Sequence, residues 1–280
     1  MTVPGPRDSI DGRDGIDVDL DALVSLAREV AAEAGRVLLH DRPRHLRVGT
    51  KSTPTDVVTE MDSRAERLLV ERIVAARPDD GFLGEEGADR SGTSGVRWVL
   101  DPLDGTVNYL YELPVWAVSV AAEVAGVVVV GVVEVPVLAE TFVAVRGAGA
   151  TRNGQPVHPS RCDLLEQALV ATGFGYDSAR RAHQAEVVAQ VLPRVRDIRR
   201  YGAASVDLCS VACGRVDGYF ERGLAPWDLA AGSLVATEAG ALVAGLYGAP
   251  ASGELVVAGA PGVFGPLHDL IAPLGPDRDA

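Results

Sequence analysis

Two aspartates directly follow an apolar stretch near the middle of the chain. Val96–Leu100 is mostly apolar and predicts a buried strand, and Asp101, Asp104, Gly105 and Thr106 come after it. Carboxylates in a protein interior are costly unless they are paired or bind a cation. A glycine allows the backbone N–H to approach a ligand closely. This stretch therefore predicts a site for a metal ion and a phosphate group.

Four further acids stand at positions where they could complete such a site. Asp62 lies in the first turn of a predicted helix, Glu85 in a glycine-bounded turn, Glu221 at a strand end and Asp228 at a helix start. Each alone has an ordinary explanation, such as capping or a favourable interaction with the helix dipole. Together they supply oxygen donors from separate segments, and oxygen-only sets suit hard cations such as Mg²⁺ rather than zinc or copper.

The charge and composition of the chain exclude several classes of function. Its 280 residues include 26 basic and 39 acidic side chains, for a net charge of -13, and no basic stretch is typical of nucleic-acid binding. A phosphate ligand would need a local cation, because an acidic protein repels anions at long range. The 5 histidines have no zinc-ligand spacing, and the 3 cysteines are too few for a disulfide framework, which favours a reducing compartment.

Helical and strand patterns place these acids on an α+β framework. Apolar spacing predicts helices over Leu20–Leu39 and Thr59–Ala76, and β-branched stretches over Val115–Val124 and Val127–Val135 predict a hairpin. The second half alternates strands with helices, so the fold class is predicted to be α+β. The further predicted elements are helices over Ala182–Leu192, Ala203–Cys213, Leu229–Ala239 and Pro261–Ile271 and a strand over Val216–Glu221.

The amino-terminal residues 1–19 are rich in Gly, Pro and Asp and predict a disordered tail. This segment lacks the apolar core of a signal peptide or a membrane anchor. The longest apolar stretch, Val124–Val133, is too short to span a bilayer. We therefore expect a cytoplasmic protein without a membrane partner.

Three motifs resemble the signatures of the inositol monophosphatase family, which belongs to the lithium-sensitive, Mg-dependent phosphatases. They are GEE at Gly84–Glu86, DPLDGTVN at Asp101–Asn108 and PWDLAAGSLVATEAG at Pro226–Gly240. The resemblance runs from about residue 20 to 275, and three motifs in the family's order make it specific. Further similar segments are Lys51–Asp62, Arg199–Gly223 and Thr172–Tyr176, the last of which is closest to the bacterial inositol-1-monophosphatase branch.

The resemblance implies a layered αβαβα sandwich of the inositol monophosphatase and fructose-1,6-bisphosphatase type. A single phosphatase domain would cover residues 20–280, with the metal motifs in a lobe over 20–155 and the substrate side in a lobe over 156–280. It also implies two or three Mg²⁺ ions per site, lithium sensitivity, a small sugar or polyol phosphate as ligand, and a homodimer.

The resemblance further implies a role for each matched position. The implied metal ligands are Glu85, Asp101, the carbonyl of Leu103, Asp104 and Asp228. As catalytic residues, Asp62 would orient Thr106 and, with Glu85, hold the nucleophilic water. The implied phosphate and substrate contacts are Leu103, Asp104, Gly105, Thr106, Gly202, Ala203, Ala204, Glu221 and Asp228. Among them, the N–H groups of Gly105 and Thr106 would bind the phosphate, and Glu221 would receive ring hydroxyls.

The implied reaction is hydrolysis of myo-inositol 1-phosphate and related inositol monophosphates by direct attack of a metal-activated water. Paired metal ions suit the in-line displacement of this very slow reaction. One alternative is a sister phosphatase acting on fructose-1,6-bisphosphate, histidinol phosphate or 3′-phosphoadenosine 5′-phosphate. Another is a regulatory protein with a vestigial site. The aspartate-nucleophile phosphatases are disfavoured, because their DxDGT spacing differs from the DxxDGT found at Asp101–Thr106.

Overall fold

The structure is a computed structural model that describes residues 18–279. The α-helices in that range are α1 (Leu20–His40), α2 (Glu60–Ala76), α3 (Thr106–Leu110), α4 (Ser178–Val191), α5 (Ala204–Ala212), α6 (Pro226–Glu238) and α7 (Pro261–Ile271). The β-strands in that range are β1 (Val48–Thr50), β2 (Val57–Thr59), β3 (Gly81–Gly84), β4 (Asp89–Arg90), β5 (Val96–Asp104), β6 (Ala117–Val124), β7 (Val127–Val135), β8 (Glu140–Val145), β9 (Gly149–Arg152), β10 (Gln155–Pro156), β11 (Leu169–Thr172), β12 (Asp197–Arg199), β13 (Gly218–Glu221), β14 (Leu242–Ala244) and β15 (Val256–Gly259).

Two large sheets alternate with three layers of helices, and β1 and β2 pair in a separate two-stranded sheet. The larger sheet has the strand order β10-β9-β8-β7-β6-β5-β3-β4 and is antiparallel except for the β3–β5 pair. The smaller sheet has the order β12-β11-β13-β15-β14, with β11 parallel to both of its neighbours. Helices α1 and α2 cover the outer face of the larger sheet, α5 and α6 lie between the sheets, and α4 and α7 cover the smaller sheet. The predicted layered αβαβα fold is confirmed.

Strand β5 is the buried strand that carries the acid pair. Trp98 and Leu100 pack into the core formed with α1 and α2, whereas Val99 packs into the core formed with α5 and α6. Because side chains alternate along a strand, Asp101 follows Val99 onto the inner face. The strand therefore delivers its first aspartate to the space between the two sheets.

Most of the predicted helices and strands are present, and they differ from the prediction in the residues at which they begin or end. Helix α1 begins at Leu20 as predicted, because the Asp19 side chain accepts a hydrogen bond from the N–H of Ala22 at 3.0 Å. Helix α4 begins four residues before its predicted start, because Asp177 caps it through the N–H of Arg180. Strand β13 is shorter than predicted and begins at Gly218.

The predicted disordered tail, residues 1–19, lies outside the described residues except for its last two. The division into lobes over 20–155 and 156–280 stays a prediction. Among residues 18–279, no helix combines the length and the apolar character that crossing a membrane requires.

A buried carboxylate, Asp80, joins the segment before β3 to strand β5. Its oxygens accept hydrogen bonds from Trp98 Nε1 at 2.8 Å and from Ser94 Oγ at 2.6 Å, and Arg77 forms an ion pair with it. Because β3 leads into Glu85 and β5 carries Asp101, this contact helps to set the relative position of the two acids.

We expect Asp80→Ala to lower the free energy of unfolding by about 3 kcal/mol, measured by urea denaturation. The substitution leaves the indole N–H and the guanidinium of Arg77 without their carboxylate partner. Asp79→Ala, at the exposed neighbouring position, is the matched control. Equal losses for the two variants would contradict this role for Asp80.

Candidate active site

Three carboxylates converge between the two sheets. One oxygen from each of Asp101, Asp104 and Asp228 lies within 4.8 Å of the other two. Asp101 pairs opposite Ser119 and Asp104 opposite Ala117, so three steps along β5 match two steps along β6. This extra residue turns Asp104 back to the face of Asp101, whereas residues three apart on a regular strand lie on opposite faces.

The first turns of α5 and α6 bind two of these carboxylates. Helix α6 begins three residues before its predicted start, so Asp228 lies in its first turn and accepts a hydrogen bond from the N–H of Ala225 at 2.6 Å. Asp104 accepts from the N–H of Ala204 at 3.2 Å and from the N–H and Oγ of Ser205 at 2.8 and 2.5 Å. Helix N-termini stabilise negative charge, which helps to hold both acids in place.

Burial and mutual repulsion act on the pKa values of the three carboxylates, which are all raised. Burial raises the pKa of Asp101 well above its ordinary value, and the charges of its neighbours, Glu85 first, raise it further. Burial and then the charge of Asp104 raise the pKa of Asp228. Burial also raises the pKa of Asp104, although hydrogen bonds from Ser205 act to lower it. Oxygen donors that repel one another in a desolvated site fit a hard divalent cation, which would remove the repulsion.

The turn that carries Glu85 is held by two residues that sequence reasoning missed. Lys51 Nζ donates to Glu85 Oε1 at 2.9 Å and also contacts the Glu86 carboxylate. Burial disfavours the charge on Lys51, but the two glutamates outweigh burial and raise its pKa. From α2, Glu66 accepts from the N–H groups of Glu86 and Ala88 at 2.9 and 3.0 Å.

Thr106 lies between a carboxylate and a carbonyl. Its Oγ1 donates to Asp62 Oδ1 at 2.9 Å and lies 3.1 Å from the Leu103 carbonyl oxygen. The other oxygen of Asp62 accepts from the N–H and Oγ1 of Thr59 at 2.9 and 2.5 Å. Burial raises the pKa of Asp62 to about 6 against these hydrogen bonds. Asp62 is therefore mostly ionised at neutral pH and can orient the Thr106 hydroxyl.

Gly105 permits the sharp turn from β5 into α3. Its φ is 91°, and a Cβ there would lie 3.1 Å from the Val115 carbonyl oxygen and 3.2 Å from the Cβ of Ala203. Asn108 Nδ2 donates to the carbonyl oxygens of Val115 and Tyr201 at 2.6 and 2.7 Å, which ties α3 to the loop before α5. The first N–H groups of a helix have no intrahelical partner, so those at Gly105 and Thr106 can bind an anion.

A cavity of about 550 Å³ contains nearly all of the predicted site residues. Its lining includes Glu85, Asp101, Leu103, Asp104, Gly105, Thr106, Gly202, Ala203, Ala204, Glu221 and Asp228. Asp62 is fully buried and lies behind Thr106, which it contacts directly. The structure thus brings the predicted residues together around one space.

The cavity lining also includes Glu221. Its Oε2 accepts from the Tyr219 hydroxyl at 2.7 Å, and burial raises its pKa to about 7. A Cβ at Gly173 would lie 1.9 Å from the same oxygen, so only glycine leaves room for this carboxylate. Arg200, which no sequence signal identified, also lines the cavity and lies 6.0 Å from the centre of the Phe174 ring.

A profile described as the inositol monophosphatase family matches residues 19–273 of the chain. The chain belongs to the inositol monophosphatase family. It is 47% identical over 239 residues to an inositol-1-monophosphatase of Mycobacterium bovis, covering 81% of each chain. It is also 38% identical over 261 residues to the Nus factor SuhB of Pasteurella multocida, covering 91% of this chain and 97% of the relative.

The solved structure of extragenic suppressor protein suhB from Bartonella henselae has the same fold. It is 35% identical to this chain, with a TM-score of 0.85 over 89% of this chain and 98% of that one. The resemblance to the inositol monophosphatase family is confirmed, and with it a phosphatase assignment at the level of the family. The relatives carry two kinds of name, inositol-1-monophosphatase and Nus factor.

We expect Glu221→Gln to stabilise the metal-free protein at high pH but not at low pH. The pKa of Glu221 rises from 4.5 to about 7 on folding, so its ionisation destabilises the folded protein as pH rises through this window. The variant should gain up to about 3 kcal/mol over the original chain at pH 8, and almost nothing at pH 4.

Urea denaturation in EDTA at several pH values would measure this difference. Glu254→Gln is the matched control, because Glu254 is exposed. The same gain at both pH values would show that packing rather than ionisation is responsible.

Proposed function

We propose that the protein is a Mg²⁺-dependent phosphomonoesterase that hydrolyses myo-inositol 1-phosphate and related inositol monophosphates. The observation that carries the proposal is the convergence of Asp101, Asp104 and Asp228 within 4.8 Å, in a cavity that also contains Gly105 and Thr106. This arrangement offers a divalent-cation site beside backbone donors for a phosphate group.

The proposed ligands of two or three Mg²⁺ ions are Glu85, Asp101, the Leu103 carbonyl, Asp104 and Asp228. When bound, Mg²⁺ would lower the pKa of a water and neutralise charge on the phosphoryl oxygens and the leaving oxygen. The hydrogen bonds from α5 and α6 fix the orientations of Asp104 and Asp228. Preorganised carboxylates need little rearrangement when the substrate binds.

Thr106 and Asp62 would orient the attacking water. The Thr106 hydroxyl carries one proton, which it donates to the ionised Asp62 carboxylate at 2.9 Å. The lone pairs of Thr106 Oγ1 can then accept a hydrogen bond from water, and with Glu85 they would aim its oxygen at the phosphorus. We propose direct displacement without a phosphoenzyme, because no step requires a protein nucleophile.

The substrate side would bind the alcohol that leaves. Glu221 can accept hydrogen bonds from polyol hydroxyls, and the small residues Gly202, Ala203 and Ala204 line the same cavity. This lining supports a hydroxyl-rich ring, and the sister substrates fructose-1,6-bisphosphate, histidinol phosphate and 3′-phosphoadenosine 5′-phosphate are the alternatives. Phosphate release from the four substrates, assayed side by side, would distinguish them.

A regulatory protein with a vestigial site is the second candidate, favoured by the relatives named Nus factor SuhB. The retention of every proposed carboxylate ligand supports catalysis instead. From the resemblance we also propose a cytoplasmic homodimer that lithium inhibits. Analytical ultracentrifugation and phosphate release with and without LiCl would test the last two properties.

We expect Asp104→Asn and Asp228→Asn each to reduce Mg²⁺-dependent phosphate release from inositol 1-phosphate by about 100-fold or more, because each removes a proposed ligand. Saturating Mg²⁺ should raise the Tm of the original chain by about 5–10 °C. Both variants should lose most of this increase, which differential scanning calorimetry would measure.

Asp89→Asn, on the exposed strand β4, is the control and should behave as the original chain does. Unchanged activity in both site variants would refute the catalytic assignment. A normal Tm increase with no activity on any phosphomonoester would favour the vestigial site.

A further inference from the structure

Two arginines at the cavity wall hold the same carboxylate. Arg180 in α4 and Arg222 after β13 both line the cavity that contains the proposed catalytic residues. Arg180 donates to Asp279 through Nε at 2.7 Å and Nη2 at 3.3 Å. Arg222 donates to it through Nη1 at 3.0 Å and Nη2 at 3.2 Å. Each guanidinium therefore binds both oxygens of Asp279 in a bidentate contact.

Two glycines leave space for the Arg180 side chain. A Cβ at Gly175 would lie 2.9 Å from Arg180 Cδ, and a Cβ at Gly223 would lie 2.6 Å from Arg180 Nη1. The Arg222 side chain is only 13% exposed, whereas that of Asp279 is 55% exposed. The cations thus belong to the cavity wall, and the carboxylate reaches them from the outside.

The segment after α7 carries Asp279 to this position. His183 Nε2 lies 2.9 Å from the Gly275 carbonyl oxygen, which anchors the start of the segment on α4. Pro276 lies beside Glu221 and Arg222 in a small adjoining recess. The segment therefore brings one carboxylate to both arginines.

We propose that Arg180 and Arg222 form a second anion subsite at the catalytic cavity, and that Asp279 occupies it and selects against substrates with a second phosphate. A planar guanidinium matches carboxylate and phosphate equally well, so the bound Asp279 marks a place where a phosphate group can bind. A monophosphorylated polyol leaves Asp279 in place, whereas a bisphosphorylated polyol must displace it. The selectivity part of this inference rests on the proposed phosphatase function.

The kinetic test compares Asp279→Asn with Asp277→Asn. Both remove one negative charge from the same segment, but Asp277 contacts Arg278 rather than the two cavity arginines. We expect Asp279→Asn to raise kcat/KM for fructose-1,6-bisphosphate relative to inositol 1-phosphate by about three- to tenfold, and Asp277→Asn to leave the ratio unchanged. The gain should decrease in 0.5 M salt, because the contact is partly exposed. An unchanged ratio for Asp279→Asn would overturn the selectivity.

A binding test separates the subsite from catalysis. In EDTA, isothermal titration calorimetry should show tighter binding of fructose-1,6-bisphosphate to Asp279→Asn than to the original chain. The gain should disappear in the double variant Asp279→Asn with Arg180→Gln. If no variant hydrolyses any phosphate but this pattern holds, the subsite stands and the proposed function fails.

Equal binding of fructose-1,6-bisphosphate to all three proteins would overturn the subsite. A further titration uses inorganic phosphate alone as the ligand. If it binds to Asp279→Asn as tightly as the bisphosphate does, the pair is a site for free phosphate and the substrate-selection proposal is wrong.

Discussion

Crowding of buried carboxylates is the constraint on which the rest of this structure depends. Asp101, Asp104 and Asp228 share a desolvated space in which their charges repel one another. The extra residue in β5 and the first turns of α5 and α6 hold these carboxylates in place. The ammonium of Lys51 offsets the charge of the neighbouring Glu85. The layered fold makes this arrangement possible because it places a strand end and two helix starts at one junction. This repulsion costs stability, and a bound cation would relieve it.

The acids of the site could be predicted because charged side chains are unusual directly after an apolar strand. Asp101 and Asp104 end an apolar strand, and such residues stand out in a sequence without any knowledge of the fold. Their supporting contacts carry no comparable signal, since Lys51 and Glu66 stand in ordinary polar segments and meet the GEE turn only after the chain has folded. Helix limits were inexact for a related reason, because caps such as Asp177 depend on side-chain geometry that spacing alone does not determine.

Residues from both halves of the chain line the cavity. The first half supplies Asp101 and Leu103 on β5 and Thr106 at the start of α3, and hydrogen bonds link these residues to one another and to Asp62. The second half supplies Glu221 and the arginines, with glycines that leave space around them. The carboxylate cluster depends on both halves because Asp228 comes from the second, whereas Glu221 and the arginines lie outside the cluster and could change without altering it.

The connectivity of the two sheets also sets the order in which the chain can assemble. Strands β5 to β9 pair with neighbours in sequence, so their loops close at little entropic cost. Strand β11 instead pairs with β12 and with β13, and the pairing of Val170 with Gly218 spans almost fifty intervening residues. Contacts between distant segments form slowly. During refolding, we expect the larger sheet to appear first, with Asp101 and Asp104 still facing water and their repulsion largely screened. Docking of the second half then completes the site and buries the three repelling carboxylates together. Divalent cations should therefore favour this last folding step most.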